Sequence, residues 1–329
     1  MKRCVSILIT LAMLTVCLPL FARPSAETGE ELTILYVPGE TDPFYLSIEL
    51  GAKDKAEELG VNFVVSEYPK AWGPEVQVPV LEAAVARAKP DLVMIGPSSN
   101  DAMIAPLKKL YDEGIEIITV DTWIGDGDYS KPSDWSFPLA YIGTDNKLGG
   151  IQIAEKLAQM IGEKGKVYCN TTSPDVSSTQ ARYEGFAEGI KKFPNIQLVG
   201  VDYNLEQVQR AQQQTFAALQ ANPDIKGIFG TNNWSSQGAY QAVVNAGLTG
   251  SVKIAGWDAS EELINALKDG KLDLLLAQKP REMGSLCVEW GYKHFKEGAE
   301  IPKKVIPGFE FFTRQNVGDP DMQKWIYGK

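Results

Sequence analysis

The sequence predicts an α/β fold whose parallel sheets are covered by helices on both faces, and three observations carry that reading. Short β-branched apolar runs alternate with longer segments of helical period along nearly the whole chain. The runs are apolar throughout instead of alternating with polar residues, as strands buried on both faces are. Acids, amides and indoles recur just after these runs, at the strand ends where open parallel sheets bind ligands.

In chain order the expected strands are Thr33 to Val37, Asn62 to Ser66, Leu92 to Ile95, Glu116 to Val120, Lys166 to Asn170, Gln197 to Val201, Gly227 to Phe229, Lys253 to Ala255 and Leu272 to Ala277. Helical period fills the intervals Phe44 to Leu59, Gln77 to Ala88, Asp101 to Glu113, Lys147 to Ile161, Thr179 to Phe193, Leu205 to Ala221 and Ser235 to Ala246. The run Arg281 to Glu297 is amphipathic, and its single histidine, His294, reads as a surface or half-buried helix residue. Gly, Asp, Ser and Pro interrupt the rhythm from Trp123 to Pro138, and the alternation restarts afterwards, which places a change of lobe near Thr144.

The chain has 329 residues, 44% hydrophobic and 22% charged, which suits a globular protein of one long or two medium domains. A formal charge of -10 offers no footprint for nucleic acid or anionic lipid. One histidine leaves no material for multi-histidine metal sites or for most His-based hydrolytic chemistry. The start, MKRCVSILITLAMLTVCLPLFA, joins a basic end to an apolar stretch broken by Pro19, the pattern of a secretory signal peptide cleaved near Ala22 or Ala26. Lipidation at Cys17 is the lesser alternative, because Val16 is larger than the residue a signal peptidase prefers. Cys169 and Cys287 then remain as small hydrophobes of the interior.

Candidate ligand residues follow the strands. Asp42, Phe44 and Tyr45 come after the first, Ser98 to Asn100 after the third, Asp121 and Trp123 after the fourth, Tyr203 at the end of QLVGVDY, Asn232 and Trp234 in GTNNW, and Trp257 with Asp258 in AGWD. Sugar rings carry an apolar C–H face that packs on aromatic rings, and hydroxyls that need donors and acceptors once water is expelled. That mixture therefore suits a sugar, while acids with indoles also describe a cage for an organic cation, which an arginine in the pocket would oppose. Each residue has a plainer role too: an Asp or Asn before a helix caps it, and we expect this of Asn100 and Asp145. Asp126 and Asp128 lack calcium-loop spacing and read as turn residues, the triplet Asn170, Thr171, Thr172 is a chance glycosylation match, and Trp72 stays open between packing and binding.

The ordered runs TDPFYLSIELGAKDKAEELG, IITVDTW, GTDNKLGG, QARYEGF, GTNNWSSQGAY and AGWDASEELINALKDGKLDLLLAQKP resemble the type I periplasmic sugar-binding proteins of ABC transporters, nearest in pattern to ribose binders, from about Leu32 to the C-terminus. The resemblance implies periplasmic binding protein type I architecture: two Rossmann-like lobes joined by a three-crossover hinge, with a sugar or polyol enclosed between them and delivered to the membrane subunits of a transporter. It implies a signal peptide over 1–26, an N-terminal lobe of 30–143 and 279–307, and a C-terminal lobe of 144–278 and 308–329. Phe44 and Tyr45 would border the sugar, Asp121 would bind hydroxyls, Arg182 would reach across, and Tyr203, Asn232, Trp257, Asp258 and Gln278 would complete the site. Asp42 stands where ribose binders carry asparagine, and Thr122 where they carry arginine, so the expected ligand is a different pentose, a hexose, a polyol or a disaccharide.

No cofactor, no nucleic acid and a monomeric state are expected. The turn PGETDPFY lacks the glycines of a dinucleotide site, no phosphate loop is present, and a signal peptide stands where a regulator would carry its DNA-binding helices. Glycoside cleavage by a pair such as Asp121 and Asp258 would need a separation that sequence does not supply. A sensory role remains the nearest competitor to transport, since both would use the closed surface.

Overall fold

The computed structural model describes residues 31–328, so the expected signal peptide and Cys17 lie outside the described residues. From the start of the described chain, β1 (Thr33–Val37), α1 (Pro43–Leu59), β2 (Asn62–Val65), α2 (Pro74–Ala88), β3 (Leu92–Ile95), α3 (Ile104–Asp112), β4 (Glu116–Val120) and β5 (Ala140–Ile142) alternate as expected. They are followed by α4 (Asn146–Met160), β6 (Gly165–Thr171), α5 (Ser177–Ile190), β7 (Ile196–Tyr203), α6 (Val208–Ala221), β8 (Ile225–Gly230), α7 (Asn233–Asn245), β9 (Lys253–Trp257) and α8 (Glu261–Lys268). The chain finishes with β10 (Leu274–Gln278), α9 (Pro280–Glu297), β11 (Lys304–Val305), β12 (Phe309–Phe312) and α10 (Pro320–Gln323).

Two six-stranded sheets result, ordered β11-β5-β4-β3-β1-β2 and β12-β10-β9-β8-β6-β7. Every pairing is parallel except β10 with β12. The chain passes between sheets three times: from β5 into α4, which packs on α5 beside the second sheet; from β10 into α9, which packs on α1 beside the first; and from β11 to β12. Both helix pairs approach at glycine. A Cβ on Gly51 of α1 would lie 1.9 Å from the Arg281 carbonyl oxygen of α9, and one on Gly185 of α5 would lie 2.1 Å from that of Lys147 on α4. The α/β reading with two parallel-dominated sheets is thus what the protein adopts.

Local chemistry accounts for the element ends. Asp42 caps α1 by accepting the Tyr45 amide at 2.8 Å, Pro43 supplies the first turn, and Gly60 closes the helix in the left-handed region at φ 65°. Asp145 caps α4 as expected, whereas Asn100 does not cap α3. There the Ser99 hydroxyl accepts the Ala102 amide and the Asn100 carbonyl accepts that of Gly125, because the chain turns before the helix begins at Ile104. The strands β5, β11 and β12 were not expected, since they border Pro138, Pro302, Pro307 and Gly308, whose turn signals mask short runs. Cys169 and Cys287 are buried and free, and Asp126 and Asp128 accept hydrogen bonds within their own turns. His294 lies half-buried on α9, edge-on to Phe295.

Candidate ligand-binding site

The carboxyl ends of strands from both sheets border one cavity. The first sheet contributes Glu40 and Asp42 from the turn after β1, Phe44 and Tyr45 from the first turn of α1, Trp72 from the approach to α2, and Asp121 from the turn after β4. Asp42 is at once helix cap and cavity wall, so the plain and the functional readings of this residue hold together. Phe44 is fixed edge-on against Tyr45 and Tyr327. The Tyr45 hydroxyl donates to Asp121 Oδ2 at 2.9 Å. Asp121 adopts φ 64°, a strained value for a side chain of its kind, which is maintained while its N–H donates to the Ile142 carbonyl.

The second sheet contributes Arg182 from α5, Glu206 from the turn after β7, Asn232 at the start of α7, Asp258 after β9 and Gln278 at the end of β10. Arg182 is 2% exposed. Its Nε donates to Asn146 Oδ1 at 2.8 Å and its Nη1 to the Thr231 carbonyl at 3.0 Å, while Nη2 stands 3.5 Å from Asp121 Oδ1. Asp258, at φ 79°, accepts from the Asn233 amide at 2.9 Å, Gln278 Nε2 at 3.0 Å and the Tyr327 hydroxyl at 3.2 Å. Asn232 caps α7 through Oδ1 and donates Nδ2 to Glu206 Oε2 at 2.7 Å. Thr144 at the crossover out of β5 donates to Gln278 Oε1 at 2.7 Å, tying two of the connections together.

Burial governs the electrostatics. It pushes the Asp121 carboxyl up to about 6, against the lowering effect of Arg182 and of the Tyr45 hydroxyl. Asp258 is raised by burial in the same way and lowered by Arg182 and its three donors. Burial with the charge of Glu206 takes Glu40 to about 8, and burial takes Glu206 to about 8 against the Asn232 hydrogen bond. Asp42 rises through burial and then through Glu40.

Of the residues expected at the site, Asp42, Phe44, Tyr45, Asp121, Arg182, Asn232, Asp258 and Gln278 come together on the cavity, and the other four do not. Trp257 is fully buried and lies beneath Arg182, whose guanidinium carbon sits 4.3 Å from the ring centroid. It is a platform that positions the cation. Trp234 projects to the rim, where its indole N–H donates to Glu40 Oε1 at 3.0 Å. Trp123 packs edge-on against Tyr141 and beside Gly127 in its own loop. Tyr203 is the last residue of β7, and the chain turns the following Glu206 inward instead, through left-handed conformations at Leu205 and Glu206 of φ 54° and 59°. Glu40, Glu206 and the start of α5, with Ser178 and Thr179, were not anticipated. Their only sequence signal was a place after a strand or ahead of a helix, shared with many residues that face away. Tyr327 is a further positioning residue: its hydroxyl meets both Asp258 Oδ1 and the Gln278 amide.

Two parallel sheets whose strand ends face one polar cavity walled by aromatic rings define a two-sheet solute-binding architecture. The chain belongs to the periplasmic binding protein domain family, whose profile matches residues 34–300. A solved ABC transporter solute binding protein from Agrobacterium vitis, bound with alpha-D-tagatopyranose, is similar at TM-score 0.88 and 38% identity, over 91% of this chain and 100% of that one. The ribose import binding protein of Salmonella typhimurium is 28% identical over 91% of this chain and 93% of its own length. The D-allose-binding periplasmic protein of Escherichia coli is 27% identical over 82% and 86%.

Proposed function

We propose that this protein captures a monosaccharide or polyol and delivers it to the membrane subunits of an ABC transporter. The observation that carries this reading is the shared cavity: aromatic walls from Phe44 and Trp72, with Asp121, Arg182, Asn232 and Asp258 converging from both sheets. Hydrogen bonds to charged groups contribute about 1.5 to 3 kcal/mol each, so a few of them plus stacking reach micromolar affinity, roughly -8 kcal/mol. The relatives named above bind tagatose, ribose and allose, and their family is one of binding proteins, which supports capture without catalysis.

In this reading residues 30–143 with 279–307 form one lobe and 144–278 with 308–329 the other, and the three connections act as the hinge. Ligand closes the lobes because Arg182 and Asp258 add contacts available only in the closed form, and a ligand shifts an equilibrium only through such differential contacts. Residues 1–26 direct export, the protein works as a periplasmic monomer, and the closed surface is what the transporter engages.

A thermal-shift screen against pentoses, hexoses, polyols and disaccharides tests the proposal. Ligand at a thousand times its Kd stabilises the native state by about 4 kcal/mol. A shift with one stereoisomer and none with its epimers is the expected result. A flat response across all of these together with amino sugars would overturn it.

A further inference from the structure

The carboxylates of the cavity fall into two sets. Asp121 faces Arg182 and accepts the Tyr45 hydroxyl, and Asp258 accepts three donors and is lowered by Arg182. Among the described residues Glu40, Asp42 and Glu206 form no salt bridge, although the charge of Arg182 still reaches Glu206. The charges that weigh most on Glu40 and Asp42 are other carboxylates. The acceptors of Glu40 and Asp42 are also only partly used. Asp42, nine-tenths buried, accepts the Tyr45 amide on Oδ1 and has no hydrogen bond on Oδ2, although it lines the cavity. Glu40 takes the Trp234 indole N–H on Oε1 alone. Trp72 also lines the cavity, and its Nε1 is a buried donor without a partner, which calls for an oxygen of the ligand. Spare carboxyl oxygens clustered in a buried cavity favour a group that brings both hydrogen-bond donors and positive charge. Among the described residues these acids are not grouped as a metal's ligands would be.

We propose that the ligand of this site is a sugar or polyol carrying a basic amine, with its ammonium among Glu40, Asp42 and Glu206 beside Trp72 and its hydroxyls on Asp121, Arg182, Asp258 and Gln278. The inference rests on the sugar-binding reading above and narrows its substrate class. An ammonium has three donors and one charge, which fits the unused oxygens of Glu40 and Asp42 with the Glu206 carboxyl beside them. Arg182 is already engaged, its guanidinium held on Asn146, the Thr231 carbonyl and Asp121, so it forms no salt bridge with the second set. Burial, with the charge of Glu206 acting on Glu40 and that of Asp42 on Glu206, holds both near 8, so each is poised to give up its proton when a fixed cation arrives.

The test is calorimetry of the purified full chain with D-glucosamine, D-galactosamine and D-mannosamine, each beside its neutral parent hexose and its N-acetyl derivative. We expect one amine to bind about tenfold or more tighter than its parent, with no such gain for the uncharged N-acetyl form. Glu206→Gln and, independently, Glu40→Gln should each draw that ratio toward one. Parent hexoses that bind as tightly as their amines, or variants that both keep the ratio, overturn the inference while leaving sugar capture intact. Silence toward amines, neutral hexoses, pentoses and polyols together overturns the capture reading itself.

Discussion

The turns after β4 and β9 occupy matching places in the two sheets, each on the strand next to the crossover strand, and yet they hold their aspartates differently. Asp121 and Asp258 both adopt positive φ, 64° and 79°, and both backbone amides donate onward to the neighbouring strand, at Ile142 and Leu276. Asp121 then receives a phenolic hydroxyl from Tyr45 and faces a guanidinium, whereas Asp258 receives three neutral donors. The repeated scaffold sets where an acid can sit, and the loops and the opposite sheet's helices decide what compensates it. One cation, buried on α5 over Trp257, thus serves a carboxylate of the other sheet.

Removing that cation is the strongest way to break the comparison. Arg182→Met leaves Asp121 buried without its partner, and loss of one member of a buried charged pair costs about 3 to 5 kcal/mol. Urea unfolding should show a loss of that order at neutral pH, and a smaller one near pH 5, where Asp121 takes up a proton below its raised value of about 6. Asp258→Ala removes the anchor on the matching side and should weaken ligand binding by about 2 to 5 kcal/mol in calorimetry. Unchanged affinity would remove Asp258 from the site.

The crossover helices offer a comparison of intermediate size. A Cβ on Gly51 or Gly185 would meet a carbonyl at 1.9 or 2.1 Å, so Gly51→Ala and Gly185→Ala should each cost about 1 to 3 kcal/mol by chemical denaturation. Equal losses would show that both crossovers are clamped alike. Stability should also depend on pH through Glu40 and Glu206. Their folded values lie near 8 against an ordinary 4.5, so the fold favours the protonated form. That contribution is complete below about pH 4.5 and is lost as pH rises through about 8. The melting temperature of the ligand-free protein should fall across this window, and Glu206→Gln should flatten the fall. The smallest effect concerns a residue the structure turns away: Tyr203→Phe should change ligand affinity by less than about 0.5 kcal/mol.

By itself the sequence determined the alternation of strands and helices, because an apolar run and a 3.6-residue period are local properties that long elements such as α1 and α9 display in full. It also placed Asp42, Asp121, Asn232 and Asp258 at strand ends, which in a parallel sheet is where ligands meet the chain. Only tertiary structure decided which neighbour of a strand end turns inward. Tyr203 and Glu206 are three residues apart, and two left-handed residues choose the acid over the ring. Trp257 and Asp258 are adjacent, and alternation along the strand sends the indole into the core under Arg182 while its neighbour reaches the cavity. The charge of the site was equally hidden, since Glu40 and Glu206 lie far apart in the chain and interact only where the two sheets bring them to a common buried space.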